Sequence, residues 1–380
     1  MRLADLPTPS LVLDRSRLMR NVARMRARAK ELGVTLRPHM KTAKSADVAR
    51  AVHGGQPGPI TVSTLAEAEH FAKSGFTDML YAVAIAPAKL ERVAGLMRAA
   101  PALKILTDDV EAARAIVARG AALGVRFSAV VEIETGGGRA GVDPRSPELA
   151  AIAAALGPAG MLGGVMSHAG HSYGCDGIAE IEDVAEAERA GVVDAAEFLR
   201  AKGHVFDHVS VGSTPTALHA RHLRGVTEMR PGNFVFFDLF QHGLGMCAAE
   251  DIAVGVLATV IGHHRARNHL LLDAGALALS KDTGANRRID NVGYGLIRDP
   301  GQARPRDDLA VLDVHQEHGI LSARRGLDAI DPLPFSDWPV GRRVLVMPNH
   351  VCMTSAMYQH YHVVDGSDEI VAVWDRVNGW

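Results

Sequence analysis

Between residues 36 and 237, short apolar runs alternate with longer stretches in which Ala, Leu, Glu and Arg recur at helical spacing. Eight runs read as strands: Leu36 to Lys41, Ile60 to Thr64, Met79 to Val83, Leu103 to Thr107, Phe127 to Glu134, Leu162 to His168, His208 to Gly212 and Glu228 to Phe237. Continuous apolar runs spaced by helices indicate a parallel sheet buried on both faces, each helix crossing back over it. Eight strands, seven helical spacers and no long low-complexity linker predict a (β/α)8 TIM barrel rather than an open doubly wound sheet. After Asp238 the helical spacers disappear, and Ile252 to His264, Leu270 to Ala274, Val344 to Met347, Tyr361 to Val364 and Glu369 to Trp374 read as strands of a C-terminal, mainly β domain. Pro9 to Asp14, strand-like and ahead of the barrel runs, is expected to join it. The predicted division is residues 15–240 for the barrel, and 1–14 with 241–380 for the β domain.

Composition narrows the function classes. The 380 residues are 47% hydrophobic and 22% charged, with a formal net charge of −2, which offers no broad attraction to nucleic acid or an anionic membrane. A small-molecule partner is favoured. Ile252 to Gly262, the longest strongly apolar stretch, is too short to span a bilayer. The first residues reach Pro7 and Pro9 without the basic-then-apolar layout of a signal peptide, so a cytoplasmic location is expected. Cys175, Cys247 and Cys352 are too few and too scattered for a disulfide framework. Cys175 and Cys247 are read as structural.

Barrel catalytic groups gather at the C-terminal ends of strands, where the first run ends in Arg37-Pro38-His39-Met40-Lys41-Thr42. Lys41 can serve there as a general base, a phosphate anchor or a Schiff-base former, with a plain surface role as the alternative. His39 shares its strand face, and burial in this apolar context would make the amine nucleophilic. Two turns suit a phosphate, Gly212-Ser213-Thr214-Pro215 after the seventh run and Arg230-Pro231-Gly232-Asn233 near the eighth, where backbone N–H groups meet a helix start. An ordinary helix cap explains the first equally simply. After the strand ending at Met347, Pro348-Asn349-His350-Val351-Cys352 would, if extended, project His350 and Cys352 from one face, as two ligands of a soft divalent ion require. A histidine beside a buried cysteine is the plainer reading. Glu132, Glu134 and Arg139, and His168, His171 and Tyr173, follow the fifth and sixth runs as further candidates for cofactor or substrate contacts. Gln316 to Gly319 would either orient His350 or bridge loops.

Taken together, Arg37-Pro38-His39-Met40-Lys41-Thr42-Ala43-Lys44-Ser45, Gly212-Ser213-Thr214-Pro215-Thr216, Arg230 to Asp238, Glu317-His318-Gly319 and Pro348-Asn349-His350-Val351-Cys352 resemble the D-serine dehydratase family. That family includes threo-3-hydroxy-D-aspartate dehydratases and is related to D-threonine aldolases and, more distantly, to alanine racemase. The resemblance spans nearly the whole chain. It implies an alanine-racemase-like barrel plus β domain, usually a homodimer, that binds pyridoxal 5'-phosphate. It makes Lys41 the Schiff-base lysine and His350 with Cys352 the metal pair, for zinc or for manganese, magnesium or cobalt. It also implies a β-hydroxy D-amino acid substrate that is dehydrated to an enamine, which then hydrolyses to a 2-oxo acid and ammonia. Cofactor contacts are expected from His39, Arg139, His168, Tyr173, Gly212, Ser213, Thr214, Gly232 and Asn233. The aldolase relatives carry His-x-Asp where this chain has His-x-Cys. An aldolase giving glycine and an aldehyde, and a non-catalytic pyridoxal-phosphate carrier, are the rival readings.

Overall fold

The computed structural model describes residues 1–325 and 332–380, which form two compact units. One comprises Arg24–Gly232 with Gly379–Trp380, the other Met1–Ala23 with Asn233–Asn378. The chain opens with strand β1 (Ser10–Asp14) and helix α1 (Arg15–Leu32). The eight strands of the first unit follow: β2 (Thr35–Leu36), β3 (Ile60–Val62), β4 (Met79–Ala84), β5 (Lys104–Thr107), β6 (Ser128–Glu132), β7 (Leu162–Met166), β8 (His208–Val211) and β9 (Glu228–Met229). Six of them match the apolar runs picked out by periodicity closely, whereas β2 shares only Leu36 with the run Leu36 to Lys41 and β9 takes only the first two residues of the run Glu228 to Phe237.

Seven helices alternate with them: α2 (Ala46–Val52), α3 (Leu65–Lys73), α4 (Leu90–Leu96), α5 (Val110–Leu123), α6 (Pro147–Leu156), α7 (Ile178–Ala201) and α8 (Thr214–His219). Their starts are set by local chemistry. Thr64, Asp109, Ser146 and Ser213 each accept a backbone N–H of the first turn of α3, α5, α6 and α8, a donor with no partner inside the helix. Every pairing in the sheet is parallel, in the order β2-β9-β8-β7-β6-β5-β4-β3. A bridge between His39 and Thr61 closes the ring, Thr61 N donating to Pro38 O at 2.9 Å and Met40 N to Thr61 O at 2.8 Å. The barrel is thus complete, and the residues that close it lie two positions before Lys41.

In the second unit α9 (Leu239–Gly243) leads into β10 (Val254–His264), β11 (His269–Leu272), α10 (Ala276–Leu279), β12 (Gly295–Arg298), β13 (Leu309–Val314) and β14 (Gly319–Ala323). Strand β15 (Arg343–Pro348), helix α11 (Val351–Thr354), β16 (His360–Val364) and β17 (Ile370–Asp375) complete it. β10, β11, β14, β13, β12 and β15 pair antiparallel in that order and return to β10, a closed β-barrel. β1 pairs antiparallel with β10 and parallel with β16, which carries β17 at its outer edge. Leu3, Leu6, Val12, Leu257, Leu345 and Val364 form one buried cluster.

The division falls elsewhere than at residues 15 and 240. Arg17, in the first turn of α1, donates to Asp14 Oδ2 at 3.0 Å and to Ile252 O at 3.3 Å, and Asn21 Nδ2 donates to Asp251 O at 2.9 Å. Ala253 N likewise donates to Phe236 O at 2.8 Å. These bonds hold residues 15–23 and 233–240 to the β unit. Strands β12, β13 and β14 have no counterpart in the periodicity reading. β12 has four residues, β14 only two large apolar side chains, and a register shift between Val311 and Asp313 interrupts the alternation of β13.

Candidate functional site

In the barrel unit Lys41 lies in the turn after the closing bridge and is exposed, where its apolar surroundings predict burial. Its N–H donates to His39 Nδ1 at 3.4 Å. His168 follows β7, and its Nδ1–H is bonded to the carbonyl of Gly212, the residue after β8. Loss of water is the largest influence on both imidazoles and favours the neutral forms. The charge of Lys41 comes next, and Arg230 adds to it. His39 therefore lies well below its ordinary value, and His168 is pushed down to about 3. This mouth of the barrel is a positively charged field.

The β7 and β8 loops are tied together from behind. Glu188 of α7, fully buried, accepts Ala169 N at 2.9 Å, Gly212 N at 3.0 Å and the Thr216 hydroxyl at 3.0 Å. Burial pushes its carboxyl above the usual range, against these bonds. Arg230 reaches across with Nε on Ser210 Oγ at 2.7 Å and Nη2 on Ser167 O. Gly212 has φ +150°, and a Cβ there would stand 2.6 Å from Arg230 N, so only glycine lets the two strand ends approach. At Gly232 a Cβ would meet His39 O at 2.8 Å. Ser45 Oγ and Thr61 Oγ1 are buried without a partner among the described residues. Spare hydroxyls beside a cationic cluster fit a bound anion such as a phosphate ester.

The β unit holds a cluster of opposite character. β15 stops at Pro348, so His350 and Cys352 do not share a strand face as predicted. His350 instead caps α11 with φ −134°, and Cys352 lies in its first turn, where its thiol meets the imidazole. Asp282 Oδ2 stands 2.8 Å from His350 Nδ1, and Gly284 N donates to the other Asp282 oxygen at 2.8 Å. Burial pushes His350 down, but Asp282, Cys352 and Asp238 together outweigh it and raise the imidazole to about 11. Asp282 is held below the usual carboxylate range, chiefly by the same hydrogen bond.

The loop is anchored on both sides. Asn349 Nδ2 donates to Asp282 O at 3.0 Å and Gly293 O at 2.7 Å, while Val351 N donates to Asp238 Oδ2 at 3.0 Å. Imidazole and thiolate donors beside carboxylates suit a divalent cation such as zinc. With Asp282 on Nδ1, the other ring nitrogen is left for the ion, the usual arrangement behind a metal-bound histidine. Among the described residues no three His, Cys, Asp or Glu side chains form a closed cage, so two protein ligands would leave coordination positions open.

His39, Lys41, His168, Gly212 and Gly232 are thus brought together in the barrel unit. Ser213 caps α8 and bonds Ser172 Oγ at 2.9 Å, Thr214 is buried beside it, and Tyr173 is half-buried in the turn Gly170–Gly174. Arg139 is exposed, 3.2 Å from Glu132 Oε1, and adds to the charge on His168. Asn233 belongs to the other unit, its Nδ2 on Asp238 Oδ2 at 2.7 Å. Gln316 to His318 form the exposed turn between β13 and β14, and Asp282 takes the orienting place on His350 considered for that segment. Sequence reasoning missed Asp282, Asp238 and Glu188. Glu188 left a signal, a charge on the apolar stripe Ile181, Ala185, Val192 of α7, and Asp238 closes the motif that begins at Arg230, while Asp282 left none.

The alanine racemase N-terminal domain model matches residues 13–239 and the putative serine dehydratase domain model residues 253–364. A D-threo-3-hydroxyaspartate dehydratase from Delftia sp. strain HT23 is 46% identical over 380 residues, covering 100% of this chain and 99% of the relative. The solved structure of the Delftia HT23 enzyme superposes with a TM-score of 0.95 at 45% identity and full coverage of both chains. A D-serine dehydratase of Dictyostelium discoideum is 32% identical over 99% of this chain and 98% of its own. Clostridium difficile 630 alanine racemase, 13% identical with a TM-score of 0.69 over 97% of this chain and 98% of that one, shares the fold. Among the described residues no helix is long and apolar enough to cross a membrane. On this whole-length likeness the chain belongs to the D-serine dehydratase family, alanine-racemase-like carbon–oxygen lyases that include the D-threo-3-hydroxyaspartate dehydratases.

Proposed function

We propose that the chain eliminates water from a β-hydroxy D-amino acid, threo-3-hydroxy-D-aspartate or D-serine, and that hydrolysis of the released enamine takes a water back, so that the net products are a 2-oxo acid and ammonia. The observation that carries this reading is the 46% identity with the Delftia dehydratase across the length of both chains. The family is built on pyridoxal phosphate, which when bound supplies an electron sink for the charge left at Cα. Lys41 is the attachment point for its carbonyl, and the Lys41 amine takes the Cα proton. His39, His168, Gly212, Ser213, Thr214 and Gly232 form the cradle, with Arg139, Tyr173 and Asn233 as further contacts. The positive field of Lys41 and Arg230 supports an anionic occupant.

In the β unit, His350 and Cys352 hold a divalent ion, which supplies Lewis acidity to a departing hydroxyl, a poor leaving group by itself. The contact of both side chains and the carboxylate behind His350 support that role. A solved D-threo-3-hydroxyaspartate dehydratase, 45% identical with a TM-score of 0.96, is a cysteine-to-alanine mutant in the metal-free form. A cytoplasmic homodimer completes the reading, and none of the three cysteines being in a disulfide accords with a reducing compartment.

An aldolase is the second reading, favoured by a 3-hydroxy-D-aspartate aldolase of Paracoccus denitrificans at 27% identity over 98% of this chain and 92% of its own. The test is product identification with D-serine, threo-3-hydroxy-D-aspartate and D-threonine, with zinc, manganese, magnesium or cobalt supplied and a chelator-treated control. Ammonia with a 2-oxo acid, lost on chelation, is the expected result. Glycine with an aldehyde would replace the dehydratase by the aldolase, and no turnover of any substrate would leave the carrier.

A further inference from the structure

The β unit contains a cavity of about 230 Å3 that shares no lining residue with the Asp282–His350–Cys352 cluster. One side is apolar, formed by Leu3, Val12, Leu345 and Val364. The other carries three guanidinium groups, Arg17, Arg20 and Arg298, against one carboxylate, Asp14.

These arginines are not equivalent. Arg17 is spoken for: Nε bonds Asp14 at 3.0 Å, Nη1 Ile252 O at 3.3 Å, and Nη2 the carbonyls of Gln302 at 3.2 Å and Ala303 at 3.3 Å. Arg298, at the end of β12, is only 4% exposed, and its Nε and Nη1 have no partner among the described residues. The one carboxylate that lines the cavity, Asp14, is paired with Arg17 at 3.0 Å. A guanidinium does not shed its proton in a protein, and a buried charge without a counter-charge is strongly unfavourable. Among the described residues the cavity thus presents a fixed positive charge with no partner at two of its nitrogens, beside apolar side chains.

We infer that this cavity is a binding site for a small carboxylate, its anionic end on Arg298 and its short apolar body against the wall of Leu345 and Val364. Inorganic phosphate could answer the charge but has no apolar surface to offer the wall. The site stands apart from the proposed reaction.

The test is calorimetric titration of the holoenzyme with butyrate and, separately, with inorganic phosphate at constant ionic strength. Saturable butyrate binding is expected, with phosphate at least about tenfold weaker. Arg298→Met, which replaces a buried charge by an apolar side chain of similar length, is expected to lower butyrate affinity by at least about tenfold, as removal of one partner of a buried charge pair does, and to leave turnover unchanged. Should Arg298→Met not fold, Arg20→Gln at the exposed rim is expected to weaken butyrate a few-fold. Four results overturn the site: no saturable butyrate binding, phosphate binding as tightly as butyrate, affinity unchanged in Arg298→Met, or, where that variant cannot be made, affinity unchanged in Arg20→Gln.

Discussion

His168 in the barrel unit and His350 in the β unit are both drawn from water, and each has an oxygen acceptor at Nδ1, yet they are driven in opposite directions. Around His168 the neighbours are Lys41, Arg230 and Arg139, and the imidazole falls to about 3. Around His350 they are Asp282, Cys352 and Asp238, and it rises to about 11. The difference teaches that the neighbouring charges, and not burial alone, set a histidine's protonation. Cations crowd around the proposed cofactor cradle, and carboxylates around the proposed metal pair.

The strongest way to break the barrel side is Lys41→Ala. Turnover is expected to fall by about 10²–10⁴-fold or more, with loss of the cofactor's visible absorbance band. An intact band would show that another residue holds the cofactor. On the β side, Cys352→Ala is expected to strip the ion, read by metal analysis, while leaving that band in place. Several kcal/mol of transition-state stabilisation go with the ion, on the order of a hundredfold or more in rate. Unchanged metal content and rate would remove the cationic half of the comparison.

Asp282→Asn sharpens it further, since the ligands stay and only the carboxylate behind His350 changes. The dissociation constant for zinc is expected to rise roughly 10–100-fold in a chelator competition, and an unaltered constant would make Asp282 a loop fastener. The smallest effect is the acid dependence of stability. His168 has a folded-state value of about 3 against 6.5 for the ordinary group, so as pH falls the unfolded chain takes up the proton first. Its contribution is intact above about pH 6.5 and is lost as pH falls towards 3, roughly 1–2 kcal/mol by pH 5. Urea unfolding of the apo-protein between pH 7 and 5 is expected to show a steeper loss in the native chain than in His168→Asn. Parallel slopes would mean that His168 already carries its proton.

The barrel could be read in advance because most of its strands lie in short apolar runs and four of the helices between them start at a side-chain cap, as with Ile60–Val62 before Thr64 or Lys104–Thr107 before Asp109. The β unit was read in part. β10 and β15 are apolar enough to stand out, but Gly295–Arg298 and Gly319–Ala323 become strands by pairing with neighbours, and little in their own residues announces it. At the sites, Lys41, His350 and Cys352 stood out through the motifs that contain them. Extension of β15 through Cys352 was wrong because the chain turns at Pro348, with Val351 N drawn onto the buried Asp238 carboxylate.

What the sequence by itself determined is therefore the strand count and order of the barrel, the change to a mainly β region, and the motif residues, because run length, period and helix capping are local properties of the chain. Only the tertiary structure decided that Asp282 stands behind His350 from 68 residues away, that Glu188 fastens Gly212 from 24 away, and that Arg298 Nε and Nη1 find no partner among the described residues. Those outcomes depend on which polar groups meet once water is excluded. That balance is struck by distant segments together, and no short stretch of chain contains both sides of it.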